Sequence, residues 1–194
     1  ESLGERGVPQ ARRDAVGALL ERLVFRELFE FRFVQTDPNF ANYLVDPTQE
    51  RVSLLDFGST REVDPALAER YARICRAIVA GDRAGVREGA VEIGYLRPDE
   101  SEERMRGVVD LILLVCEPLR HPGLYDFGRS TLPSRVRDLG MDLAFRRGFL
   151  RAPPPETVFL HRKLIGSFLL CARIRARVDV HALIRPWIGL DAPA

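Results

Sequence analysis

Three oxygen-bearing side chains, Asp37, Asn42 and Asp56, fall within one short stretch of the chain, and their order is informative. Asp37 lies in a Gln-Thr-Asp-Pro loop, Asn42 follows five residues later, and Asp56 opens an Asp-Phe-Gly triplet after an apolar run. Phosphoryl transfer needs a carboxylate beside the attacking hydroxyl or water, and hard oxygen ligands that keep Mg2+ on the nucleotide phosphates. Asp37 fits the first role, the catalytic one, and Asn42 with Asp56 fit the second, as metal and nucleotide ligands. The five-residue gap lets a tight loop turn Asn42 back toward the metal, and Gly58 frees the backbone to turn away after Asp56. The plain alternative is that Asp37 caps a turn and Asp56 merely ends a strand. A second Asp-Phe-Gly, at Asp126, Phe127 and Gly128, follows a turn-rich stretch with no apolar strand and no matching Asp and Asn upstream. That copy reads as a coincidence.

The elements that must position these residues are mainly helical. Apolar side chains at Val16, Leu20, Leu23, Val24, Leu28 and Phe31 follow helical spacing, which predicts one long amphipathic helix over residues 11–33. Pro38 disfavours helix at Asp37 and forces a loop there. Two short extended runs, 43–46 and 52–55, flank Pro47-Thr48-Gln49-Glu50 and read as a β-hairpin that delivers Asp56 to the site. Beyond it, helices are predicted over residues 65–80, 82–93, 101–117, 134–150, 155–178 and 180–188, with Asp64 as a cap and Pro65 at a first helical position. No repeat or separating linker is seen, so residues 1–194 read as a single mainly α domain with a small hairpin inserted early.

Composition narrows the function classes. A chain of 194 residues with 46% hydrophobic and 29% charged side chains can bury a substantial core and is not a disordered tail. Its 29 basic residues are 28 Arg and the single Lys163, balanced by 28 acidic ones. The Arg residues show no local clustering, so a nucleic-acid partner is not expected. Cys75, Cys116 and Cys171 sit far apart in apolar surroundings, as buried reduced thiols do. The apolar runs 111–116 and 164–172 fall short of the ~20 residues of a spanning helix. His121, His161 and His181 form no metal or triad spacing and are expected to be core or surface residues. Ser59 and Thr60 read as a solvated turn, and Arg61 with Glu62 as a local ion pair.

Asp-x-x-x-x-Asn followed by a strand and Asp-Phe-Gly is the protein-kinase arrangement. The fuller stretch, from Phe29 through Phe33-Val34-Gln35-Thr36-Asp37-Pro38-Asn39 to Asn42, then Leu54-Leu55-Asp56-Phe57-Gly58-Ser59-Thr60-Arg61-Glu62, resembles the UbiB/ADCK atypical kinase family. The Gln-Thr-Asp-Pro-Asn form, the later Pro153-Pro154-Pro155-Glu156 and Leu160-His161-Arg162-Lys163, and Gly166-Ser167-Phe168-Leu169 are similar to its coenzyme Q branch. The resemblance runs over residues 23–174. It implies a protein-kinase-like C-terminal lobe whose hairpin carries the metal-binding Asp-Phe-Gly, with ATP and Mg2+ as cofactors. It further implies a role in ubiquinone biosynthesis on the matrix side of the mitochondrial inner membrane, or in a bacterial cytoplasm at the inner membrane. The implied partners are a quinone-biosynthetic complex, a lipid surface and the protein's own N-terminal lobe.

The departures from that pattern sharpen the expectation. There is no small-residue phosphate loop and no strand lysine, and Lys163, deep in a predicted helix, cannot take the lysine's role. The family's Lys-x-Gly-Gln signature is absent as well. The chain is therefore expected to be the C-lobe alone, inactive without its N-lobe. Only Ser59 to Asp64 separates Gly58 from the next helix, which leaves no room for a peptide-docking activation segment. ATP hydrolysis or small-molecule phosphoryl transfer is expected rather than protein phosphorylation. The alternatives are an inactive helical scaffold of a quinone-biosynthetic complex, and a helical domain with a coincidental motif.

Overall fold

Asp64 and Pro65 begin helix α2, Pro65–Ala80, as their types demand: the Asp64 carboxylate accepts from the backbone N–H of Ala66 and Leu67 at 2.8 and 3.3 Å. Gly81, in the left-handed region at φ 68°, ends it. Asp82 then caps α3, Arg83–Glu92, and Ser101 caps α4, Glu102–Val115, whose first turn carries Glu102 and Glu103 where the helix dipole favours anions. The computed structural model describes residues 7–46, 51–146, 148–149 and 154–190, without the side chains of 146 and 156.

The other helices are α1, Gln10–Phe25; α5, Glu117–Arg120; α6, Leu132–Met141; α7, Pro155–Arg173; and α8, Val180–Ile184. The long first helix expected over 11–33 is shorter: after Phe25 the chain widens into a π-turn, Arg26–Phe31, and stops at Arg32, held at φ 52°. This extra turn frees residues 33–35 to pair as strand β1. The helix expected over 155–178 likewise ends at Arg173, because Arg175, at φ 54°, turns the chain and Ala176 is buried against Gly17 of α1. The chain comes so close there that a Cβ on Gly17 would lie 2.6 Å from that of Ala176.

Three two-stranded antiparallel pairs accompany the helices. β1, Phe33–Gln35, pairs with β4, Thr60–Glu62; β2, Tyr43–Val45, with β3, Val52–Leu54; and β5, Tyr125–Asp126, with β6, Arg177–Val178. Only the second pair is anticipated by sequence. The first and third join segments far apart in the chain, which no local pattern reveals. The 47–50 loop expected between β2 and β3, and residues 150–153, lie outside the described residues.

Two apolar clusters form the core. One gathers α1, α7, α8 and the β5–β6 pair around Phe25, Phe127 and Phe168; the other lies among α2, α3 and α4 around Tyr71, Ile74 and Val108. The second Asp-Phe-Gly is structural, as expected: Phe127 is buried between Tyr125 and Phe168, and Asp126 accepts from the Arg129 backbone N–H in a turn. The three cysteines are free thiols. Burial pushes the Cys116 thiol up to about 12, so it stays protonated and inert. No helix of the described residues is long and apolar enough to cross a membrane.

Candidate functional site

The loop from Thr36 to Asn42 is held at both ends. At its start the Thr36 N–H and hydroxyl both donate to the Ser59 carbonyl, at 2.8 and 2.7 Å, extending the β1–β4 pairing by one residue. The Gln35 side-chain amide donates to the Asp37 carbonyl at 2.8 Å. Pro38 turns the chain, and Asn39 caps the short 3-10 turn Phe40–Asn42 by accepting from Ala41 N–H. At its end Asn42 is buried, and its carbonyl accepts from Leu55 N–H at 2.9 Å. That bond places Asp56 one residue away from an anchor in the same loop.

Within this frame Asp37 and Asn42 meet. The Asn42 amide donates to the Asp37 carbonyl at 3.2 Å and to its carboxylate Oδ2 at 3.1 Å. This orientation leaves the Asn42 side-chain oxygen facing away from Asp37, available as a ligand. Asp56 lies two residues past the end of β3, and its Oδ1 accepts from Gly58 N–H at 2.7 Å in a tight turn. Its second carboxylate oxygen has no partner among the described residues. The three candidates thus sit on one loop system, Asp37 and Asn42 in direct contact and Asp56 tied in through the Leu55–Asn42 bond.

An acidic cage for a bare cation is not what they form. Among the described residues no three His, Cys, Asp or Glu side chains stand together as a metal site. Two ligands from the protein, one amide and one carboxylate, suit an Mg2+ that keeps waters and takes phosphate oxygens for the rest. The donor set fits a metal–nucleotide rather than a free metal.

Sequence reasoning missed what backs the loop. One face of α7 runs beneath it: Arg162 donates to Asp37 Oδ1 at 2.9 Å, Gly166 lets Pro38 lie where its own Cβ would be, 2.2 Å from the Pro38 ring, and Arg173 stacks over Phe40. The spacing 162, 166, 173 is one helical stripe. Asp37 therefore has both carboxylate oxygens engaged, one by Asn42 and one by Arg162, which fixes its orientation.

Beneath the stripe lies Lys163, buried and ion-paired with Glu27 at 2.9 Å. Its ammonium also reaches Gln35 Oε1 at 3.5 Å and the Tyr43 hydroxyl at 3.3 Å, the residues on either side of the loop. Nearby Glu21 is fully buried, accepting from Ser167 Oγ and Cys171 Sγ, and burial pushes its carboxyl up to about 7. The signal was present: Glu21 and Lys163 stand on helix stripes whose other members, Val24 and Leu28, Leu170 and Ile174, are apolar core.

Two smaller expectations are settled as well. Thr60 closes a turn on the Phe57 carbonyl, as read. Arg61 stacks on the Phe159 ring at 3.8 Å instead of pairing with Glu62, because β4 sends successive side chains to opposite faces.

Residues 7–90 match the ABC1 atypical kinase-like domain. The chain is 39% identical over 179 residues to the mitochondrial atypical kinase COQ8B of Rattus norvegicus, covering 92% of this chain and 34% of that one. It is 37% identical to mitochondrial COQ8 of Schizosaccharomyces pombe, over 91% and 29%, and 35% identical to that of Saccharomyces cerevisiae, over 91% and 35%. The chain thus spans about a third of the length of these relatives. The solved Rv3197–erythromycin complex from Mycobacterium tuberculosis superposes with a TM-score of 0.74 over 97% of this chain and 46% of that one, at 18% identity. That likeness shows a shared fold.

Proposed function

We propose, because the chain belongs to the UbiB/ADCK family of atypical kinases and to its COQ8 branch, that it is the part of such a protein that positions Mg2+·ATP for hydrolysis or small-molecule phosphoryl transfer in support of coenzyme Q biosynthesis. The observation that carries this reading is the Asp37–Asn42 pair, joined to Asp56 through the Leu55–Asn42 backbone bond. Asn42, through its side-chain oxygen, and Asp56, through its free carboxylate oxygen, would hold Mg2+. A metal held there would supply charge neutralisation on the transferring phosphate. Asp37, clamped by Asn42 and Arg162, presents its carboxylate to the attacking hydroxyl or water. The short path from Gly58 to α2, filled by β4, supports a small substrate or water rather than a docked peptide.

The same reading assigns the surface around the site. Phe31, Phe33, Leu44, Leu55 and Phe57 are 45–59% exposed. Large apolar side chains gathered on the loops and strand pairs of one functional site mark a surface that another part of a protein covers. We assign it to the N-terminal lobe that closes over the nucleotide. The chain's likeness to the mitochondrial COQ8B and COQ8 kinases supports a mitochondrial location, and in this reading the protein works at the matrix-side membrane surface with a quinone-biosynthetic complex, its hairpin holding Mg2+.

The test is a thermal shift on the longest natural form of the protein. Mg2+·ATP at ~100 times its Kd should add ~2.7 kcal/mol of stability. Asp56→Asn should remove the Mg2+-dependent part and leave the ligand-free melting temperature in place, since Asp56 makes only a turn bond to Gly58. A shift that survives Asp56→Asn unchanged contradicts the metal assignment.

A further inference from the structure

Away from the nucleotide site, α2, α4 and α7 do not close on one another. Between them lies a cavity of about 260 Å³, walled by Phe25, Leu28, Ile74, Ile112, Leu164 and Phe168 and reaching Gly140 of α6. An apolar cavity of ~150 Å³ stays dry and admits benzene, so this one has room for a bicyclic molecule. Ile165, which lines the cavity, is half exposed, and Met141, next to Gly140 in sequence, is exposed.

The wall carries the Cys75 and Cys116 thiols and one hydrogen-bonded cluster, Tyr71–His161–Tyr95, whose protons do not balance. His161 stands between two tyrosines: its Nε2 is 3.0 Å from the Tyr71 hydroxyl, and its Nδ1 bonds the Tyr95 hydroxyl. Burial holds the imidazole down to about 4 and pushes the Tyr95 phenol up to about 12, so the ring is neutral and both phenols keep their protons. A neutral imidazole has one N–H and one acceptor nitrogen. Whichever nitrogen carries the proton, one tyrosine donates into the ring and the other accepts from it. The accepting tyrosine keeps an O–H that no described residue takes, in a cavity otherwise lined by apolar side chains and the Cys75 and Cys116 thiols. Tyr71 is 97% buried and Tyr95 half-buried, and a buried donor left without an acceptor is destabilising.

We propose that this cavity binds a compact apolar molecule bearing one hydrogen-bond-accepting oxygen, an aromatic ketone in its chemistry, with the oxygen taking the spare O–H of the Tyr71–His161–Tyr95 trio and the hydrocarbon body filling the space toward Gly140. The site is independent of the nucleotide site, whose residues line none of it.

The probe is 1-indanone with the full chain. Saturable binding by calorimetry is expected, and the carbonyl stretch of the bound ketone should lie below its value in hexane, the mark of an accepted hydrogen bond. Gly140→Leu plugs the cavity without a clash, since a Cβ there meets no heavy atom within 4 Å. It should abolish binding while helical circular dichroism and cooperative unfolding persist. If that variant loses cooperative unfolding, Val115→Phe, from another wall, takes its place. No saturable binding, binding that survives the plug, or a carbonyl stretch unchanged from hexane would each overturn the proposal.

Discussion

Lys163 shows how a single side chain is committed by its surroundings. It is the only lysine, and the structure places it as the link between Glu27, Gln35 and Tyr43. Lys163→Met keeps the volume but strands the Glu27 carboxylate in the interior, which should cost about 3–5 kcal/mol by urea denaturation. The double change with Glu27→Leu should recover much of that loss. Two buried titratable groups have opposite effects on pH dependence. Glu21 has its carboxyl raised from 4.5 to about 7, so the folded chain binds the extra proton and stability falls as pH rises across that window. His161, lowered from 6.5 to about 4, contributes stability that is present above 6.5 and lost as pH falls toward 4. Glu21→Gln removes the first slope and leaves the second. The variant's urea midpoint should therefore rise from about pH 5 to about pH 7 more steeply than that of the parent chain.

At the scale of elements, the stripe 162, 166, 173 of α7 makes the loop of residues 36–42 and the helix one unit. Gly166→Ala puts a methyl where Pro38 lies, and the loop must move off the helix. The expected cost is about 1–3 kcal/mol, with faster amide exchange in residues 36–42 than in α2. Equal exchange in both would show that α7 does not hold the loop. This coupling was only half legible in the sequence. The helices with local signals were read almost to the residue: α2 from Asp64, Pro65 and Gly81, α3 and α4 from Asp82 and Ser101. The β2–β3 pair was read from its turn residues. The π-turn after Phe25 was not, because its apolar side chains still fit helical spacing. β1–β4 and β5–β6 were not, because each pairs segments more than twenty residues apart and only tertiary packing selects them. The loop chemistry at Asp37, Asn42 and Asp56 was legible because its spacing is local. Arg162, some 125 residues from Asp37, was not.

The whole molecule combines a two-cluster helical body with a loop system that is ordered from beneath and open above. The body gives the loop a rigid floor through α7 and the Lys163–Glu27 pair. The exposed phenylalanines and leucines at the rim are the surface onto which the rest of an atypical kinase would close. Among the described residues, Asn42 and Arg162 orient Asp37; in the proposed function Asn42 and Asp56 would add two metal ligands, and grip on the phosphates would come from other parts of the protein. In the proposed function Asn42 and Asp56 converge on one metal–nucleotide. Paramagnetic relaxation by Mn2+ in the presence of ADP measures that without requiring turnover. In spectra of the longest natural form of the protein, amides of residues 37, 42 and 56 to 58 should broaden first and together, and Asp56→Asn should abolish the effect. Broadening centred elsewhere, or unchanged in Asp56→Asn, would contradict it.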